Sequence, residues 1–166
     1  MTKTTLGIVA LAFLVVVGAI IVATAFYTPD QTNPAYAAAV SFVEAAASGN
    51  DDQAMTFLSD DLSAYVNQNC ADGKISACIA AYIPDEWGVF KSVVFRRATP
   101  DGVNWNVDLI GTWEHDRGFS GVCIYVHLTR ETDGGWRIDR WAGFAWCGDP
   151  ATRDMADNPD APNQAP

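Results

Sequence analysis

From Leu6 to Phe26 the chain carries no charged residue and is built mostly of Leu, Ile, Val, Ala and Phe. As a helix, at ~1.5 Å per residue, this run reaches about 30 Å, the thickness of a hydrocarbon core. Lys3 and the amino terminus supply the positive charge before it, and Asp30 follows it. The positive-inside rule therefore leaves residues 1–5 in the cytoplasm and puts everything beyond Tyr27 outside, as a single-pass membrane protein. A cleavable signal peptide competes with this reading. Ala23-Thr24-Ala25 fits a small-x-small cleavage site, which would make Phe26 the first residue of a secreted chain. The apolar stretch is longer than the ~7–15 residues usual in a signal peptide, which favours a retained anchor. No cysteine closes the run, so a lipid anchor is not expected. Both readings put the remainder on the same, extracytoplasmic side.

That remainder divides into a linker at 27–33, a domain at 34–149 and a Pro/Asp-rich tail at 150–166 expected to be disordered. The central part, about 115 residues, is enough for one core and short for two. The chain carries six Trp, which a disordered polymer would not. Its formal net charge is −10, from 20 acidic and 10 basic residues. That excludes a nucleic-acid partner, because such affinity rests on Lys and Arg neutralising phosphates.

Four cysteines, Cys70, Cys78, Cys123 and Cys147, all lie beyond the apolar run. An even number on the oxidising side of a membrane reads as disulfides, and four cysteines allow three pairings. Proximity points to Cys70 with Cys78, and Cys123 and Cys147 fall on two segments of one hairpin. Zinc is the rival, but the spacings are not those of a zinc site and no His accompanies either pair.

Asn33-Pro34 offers a helix start, followed by Tyr36, Ala39, Val40, Val43 and Ala47 at helical spacing and a stop at Ser48-Gly49-Asn50. Asp51 or Asp52 would cap a second helix with Ala54, Met55, Leu58 and Leu62 on one face. Cys70 to Gly73 reads as a turn, and Ile75–Tyr82 as a short helix ended by Pro84. Beyond Pro84 the pattern changes to alternation. Val89–Arg97 reads as a first strand, with a turn at Pro100-Asp101-Gly102. Val103, Trp105, Val107, Leu109 and Trp113 form the apolar face of a second, and Glu114–Gly118 a polar turn. Val122, Ile124, Val126 and Leu128 form that of a third. After the Asp133-Gly134-Gly135 hairpin turn, Trp136, Ile138, Ala142, Phe144 and Trp146 form the face of a fourth, with Arg140 interrupting it.

Helices followed by an antiparallel sheet define an α+β fold, expected here as two or three helices on a curved sheet of four or more strands. The layout resembles the nuclear-transport-factor-2-like superfamily, on the segment AYAAAVSFVEAAASGNDDQAMTFLSDDL and the terminal GGWRIDRWAGFAWC. Ser48-Gly49-Asn50-Asp51-Asp52, Leu58-Ser59-Asp60-Asp61 and Gly134-Gly135-Trp136-Arg137-Ile138 match that family's helix exit, acidic turn and opening of the last strand. The resemblance spans about Asn33 to Cys147 and implies a bent sheet wrapped round the first helix as a cone. A single membrane helix before such a domain is also similar to assembly factors of type IV secretion and conjugation machines and to accessory proteins of lipid importers. In those the domain docks other proteins.

Enzymes of that superfamily hold acid/base residues in the mouth of the cone. Tyr125, His127, Asp108 and Asp139 are the candidates here, with His127 and Asp139 falling close across the last hairpin. The plainer reading is a cross-strand polar pair on the sheet's solvent face. His115, in Trp113-Glu114-His115-Asp116-Arg117, reads as a solvated turn, since consecutive residues rarely converge on one ion. Ser41 and Ser120 have no visible base, and no phosphate loop, HExxH or Ca²⁺ loop is present. No cofactor or metal is expected. Trp105, Trp113, Trp136, Trp141 and Trp146 fill the core, or line an apolar pocket if the cone is open. Arg140 on the core face would need a partner, Asp108 or an acidic ligand, because an unpaired buried charge is costly. The sequence thus reads as a membrane-anchored extracytoplasmic accessory or interaction module, without catalysis and with a protein partner in an envelope complex. Small-ligand binding in the cone and acid/base catalysis of isomerase or hydrolase type are the alternatives.

Overall fold

A computed structural model describes residues 12–22, 33–115 and 121–166. Residues 12–22 form a helix (α1) whose side chains are almost all exposed. The rest of the expected anchor, including the Ala25 cleavage position, lies outside the described residues, as do 116–118 of the polar turn and Ser120. Among the described residues no helix is long and apolar enough to cross a membrane.

Helix α2, Pro34–Ala47, starts as its sequence dictates: the Asn33 side chain accepts from the Ala35 N–H at 2.9 Å and Pro34 occupies the first turn. It ends where Gly49, at φ +73°, lets the Asn50 N–H turn back onto the Ala45 carbonyl at 2.9 Å. The buried face is Ala35, Ala39, Phe42, Val43 and Ala46. Tyr36, Val40 and Ala47, expected at its centre, pack on its flank.

The next stretch departs from expectation. It is two helices, α3 (Asp51–Met55) and α4 (Asp60–Asn69), capped by Asn50 and Ser59. Asp51 does not cap; its carboxylate accepts from the N–H and the hydroxyl of Ser76, both at 2.8 Å, and so ties α3 to α5 (Ile75–Ala80). Between α3 and α4 the backbone runs along a sheet edge, with Ser59 N–H donating to the Ile138 carbonyl and Ile138 N–H to that of Phe57, each at 2.8 Å.

Four strands form an antiparallel meander in the order β1 (Phe90–Asp101), β2 (Asn104–Trp113), β3 (Val122–Arg130), β4 (Trp136–Trp146). Asp101 pairs with Asn104, so the first turn is Gly102-Val103, one step beyond the expected Pro100-Asp101-Gly102. Gly102 takes φ +61°, and Val103 is exposed instead of facing the core.

Helix α2 packs on one face of this sheet. Phe42 meets Trp141 with ring centroids 6.2 Å apart, and Tyr36 stacks on Phe95 at 4.8 Å beside Trp105. Trp141 and Phe42 are fully buried, so the space between helix and sheet is filled there by rings.

Two bulges in β4 reset its faces. Leu128 pairs with Ile138 but His127 with Arg140, leaving Asp139 as the extra residue; Phe144, at φ +52°, is extra between Gly143 and Ala145. The main core therefore takes Ile138, Trp141 and Phe144, with Gly143 on the same face and Trp146 at the margin, while Ala142, expected there, falls on the outer face. Arg140 is on the opposite face, half-buried across from His127, and does not interrupt the core.

The tail corrects the sequence reading most. Residues 150–166, expected to be disordered, lie as a strap against β4 and the outer sheet face. Gly143 N–H donates to the Pro162 carbonyl at 2.7 Å and Ala165 N–H to that of Trp141 at 2.9 Å. Met155 and Ala161 bury themselves against Cys123, Tyr125 and Ala142 in a second apolar cluster. The physical reason is the free edge of β4, whose amides and carbonyls need partners that Ala- and Pro-rich backbone can supply.

Candidate functional site

The outer face of β3 is buried instead of wet, since Cys123, Tyr125 and His127 are each at most 5% exposed. The register places Asn106, His127 and Arg140 in one cross-strand row and Asp108, Tyr125 and Ala142 in the next. Tyr125 donates to Asn106 Oδ1 at 2.6 Å. Burial, reinforced by Asp139, Asp108 and Asp101 and opposed by Arg140, pushes its phenol up to about 12. Tyr125 is therefore a donor at physiological pH and not a base.

His127 and Asp139 do meet: Nδ1 lies 2.6 Å from Asp139 Oδ1. The bulge at Asp139 makes this contact, by turning its carboxylate toward the row that Arg140 shares. The other ring nitrogen, Nε2, lies 3.2 Å from Asp101 Oδ2 without the alignment of a hydrogen bond. The sequence places Asp101 in a turn; the extra length of β1 delivers it to the imidazole. Both nitrogens of a nearly inaccessible ring thus face carboxylates. General-base work needs one nitrogen open to a substrate, and this arrangement leaves none. His127 thus links the β1–β2 turn, through Asp101, to β4, through Asp139.

The other candidates are dispersed. Asp108 pairs with Arg97 and not with Arg140. The Asp108 contact also raises Arg97, which stays cationic. Glu114 pairs with Lys91 at 3.3 Å, while the His115 N–H donates to the Trp87 carbonyl at 2.9 Å. The five Trp of the sheet take separate positions in it. Trp141 is core, Trp105 abuts Tyr36, and Trp136 and Trp146 pack at the core margin. Trp113 borders a cleft of about 350 Å³ with Ala46, Ile79, Ile83 and Gly88 at the far end of α2.

All four cysteines are bonded, as Cys70–Cys78 and Cys123–Cys147. The first pins α4 to α5, and the second bridges β3 to the end of β4. Such bonds persist in oxidising compartments. Among the described residues, no three His, Cys, Asp or Glu side chains converge in a metal-holding arrangement.

Sequence reasoning missed Asp101, Asn106 and the pair Arg96-Arg97. The last is placed by the β1 register shift between Phe95 and Arg97, which turns both side chains outward and which no local pattern announces. Comparison with protein-family models, curated proteins and solved structures gives no match to this chain.

Proposed function

We propose that this chain is a non-catalytic accessory module, held to a membrane by its N-terminal apolar segment and exposed on the extracytoplasmic side, where it engages a protein partner. The observation that carries this reading is the unequal treatment of the two sheet edges. Phe57–Ser59 and Pro162–Ala165 cover the outer edge of β4. The outer edge of β1 takes no backbone partner among the described residues, and Val94 on that strand is 56% exposed. An open edge of this length is a template for strand addition.

The ring-filled space beneath α2 and the doubly engaged His127 weigh against the ligand-binding and acid/base alternatives. The two disulfides agree with an extracytoplasmic setting, and the family resemblance with a docking role. A photo-crosslinking residue at Val94 in the full-length chain, irradiated in native membranes, tests the reading. A discrete adduct at Val94, and none from the same probe at Thr132 in the β3–β4 turn, is the expected result. No adduct at Val94, or equal adducts at both sites, contradicts it.

A further inference from the structure

One cleft has the opposite charge character to the rest of this acidic chain. It opens on the outer sheet face where the strap leaves β4, encloses about 340 Å³, and is rimmed by Arg96, Arg97 and Arg153. Its floor includes the Cys123–Cys147 disulfide and Met155. Three of the chain's 10 basic residues thus converge here. By contrast, the cleft beside the β3–β4 turn is bordered by Asp60, Asp61, Glu131 and Asp133, with Arg137.

Three separate devices build the basic rim. The β1 register shifts between Phe95 and Arg97, and this bulge sends both Arg96 and Arg97 to the outer face. Arg96 reaches the Cys123 sulfur at 3.7 Å and Arg97 reaches Asp108. The strap supplies Arg153, between Thr152 and Met155, which are both buried. Thr152 donates to the Asp149 carbonyl at 2.7 Å and Asn158 to that of Ala151 at 2.9 Å, so the turn carrying Arg153 is fixed. The disulfide joins the two strands beneath.

The charges within the cleft do not cancel. Asp108 and Asp154 both serve Arg97, the latter at 3.5 Å. Arg96 and Arg153 have no carboxylate within ion-pair distance among the described residues. Guanidinium groups present planar forks of donors that match the oxygens of phosphate and carboxylate. We infer that this cleft is a binding site for a small oxyanion, of the phosphate class, held by Arg96 and Arg153 with Arg97 locked in place behind them. Arg96 and Arg97 belong to β1, but the cleft uses their side chains on the outer face and not the strand's backbone edge, so the inference does not depend on the interaction-module reading.

The test titrates inorganic phosphate into the ¹⁵N-labelled protein against sodium chloride at matched ionic strength, following the arginine Nε–H signals and the amides of Thr152–Met155. Saturable shifts confined to these groups, with a Kd of about 1 mM, are expected. Arg96→Gln and Arg153→Gln should each weaken binding about tenfold. Asp154→Asn, which removes a negative charge from the rim, should tighten it. Absence of saturation, shifts spread over the surface, or equal affinity in the Arg96→Gln/Arg153→Gln double variant overturns the proposal. Co-sedimentation with phosphatidylcholine vesicles, with and without phosphatidylglycerol, identifies the source of the anion. Arginine-dependent sedimentation that phosphate displaces assigns the site to a lipid headgroup, and phosphate binding without sedimentation assigns it to a free anion.

Discussion

Met155→Ala separates a packed strap from a disordered tail. Met155 is 4% exposed, and its side chain sits among Cys123, Tyr125, Ala142 and Ala161. Truncating a buried Met to Ala removes its transfer free energy and leaves a partial cavity, at a cost of about 2–5 kcal/mol. The site is peripheral and one wall is the strap itself, which can settle inward, so the low end, about 2 kcal/mol, applies. In a disordered tail the same change would fall within about 0.5 kcal/mol. A domain of this size has a urea m-value of about 1–1.5 kcal/mol/M, so the midpoint should fall by about 1–2 M with the slope unchanged. Met155→Leu, which conserves volume, should stay close to the parent. Hydrogen exchange supplies a second readout: the Gly143 and Ala165 amides, both bonded across strap and strand, should be protected in the parent and exchange faster in Met155→Ala. An unchanged midpoint together with an unprotected Ala165 amide would refute the packed strap.

Two further outcomes follow from the geometry. The Tyr125 phenol is raised above its ordinary 10.0 to about 12, so the folded state favours the neutral form. Its contribution is intact below about pH 10 and is lost as pH climbs toward 12; urea midpoints at about pH 9 and 11 should diverge less in Tyr125→Phe than in the parent, and equal divergence would contradict the burial. Asp51→Ala removes both acceptors of Ser76 and should cost about 1–2 kcal/mol in denaturant unfolding, whereas a loss near zero would show that the α3–α5 tie is not formed.

The parts of the fold that were legible in the sequence are those governed by local chemistry. Asn33-Pro34 and Ser48-Gly49-Asn50 bound α2 through capping that any reader of the chain can find, and strict alternation marks β2 and β3. Illegible parts depend on register. Nothing local reveals that Asp139 and Phe144 are bulged, and without those bulges Arg140 counts onto the wrong face of β4. Composition misled at residues 150–166, because Ala, Asn and Pro make a poor core yet satisfy an open edge through backbone groups and short turns. Of the candidate site, the nearness of His127 to Asp139 could be read from the hairpin. Asp101 could not, because the length of β1 places it, and neither could the cleft, because Arg153 reaches it only through the strap.

The central claim is that the folded domain lies outside the membrane that its N-terminal segment enters. Intact cells producing the full-length chain can be treated with a membrane-impermeant reductant and then an impermeant thiol reagent. The account predicts that all four cysteines become labelled only after reduction, in a chain that remains with the membrane fraction. Labelling that requires cell lysis, or thiols that react without any reductant, would contradict it.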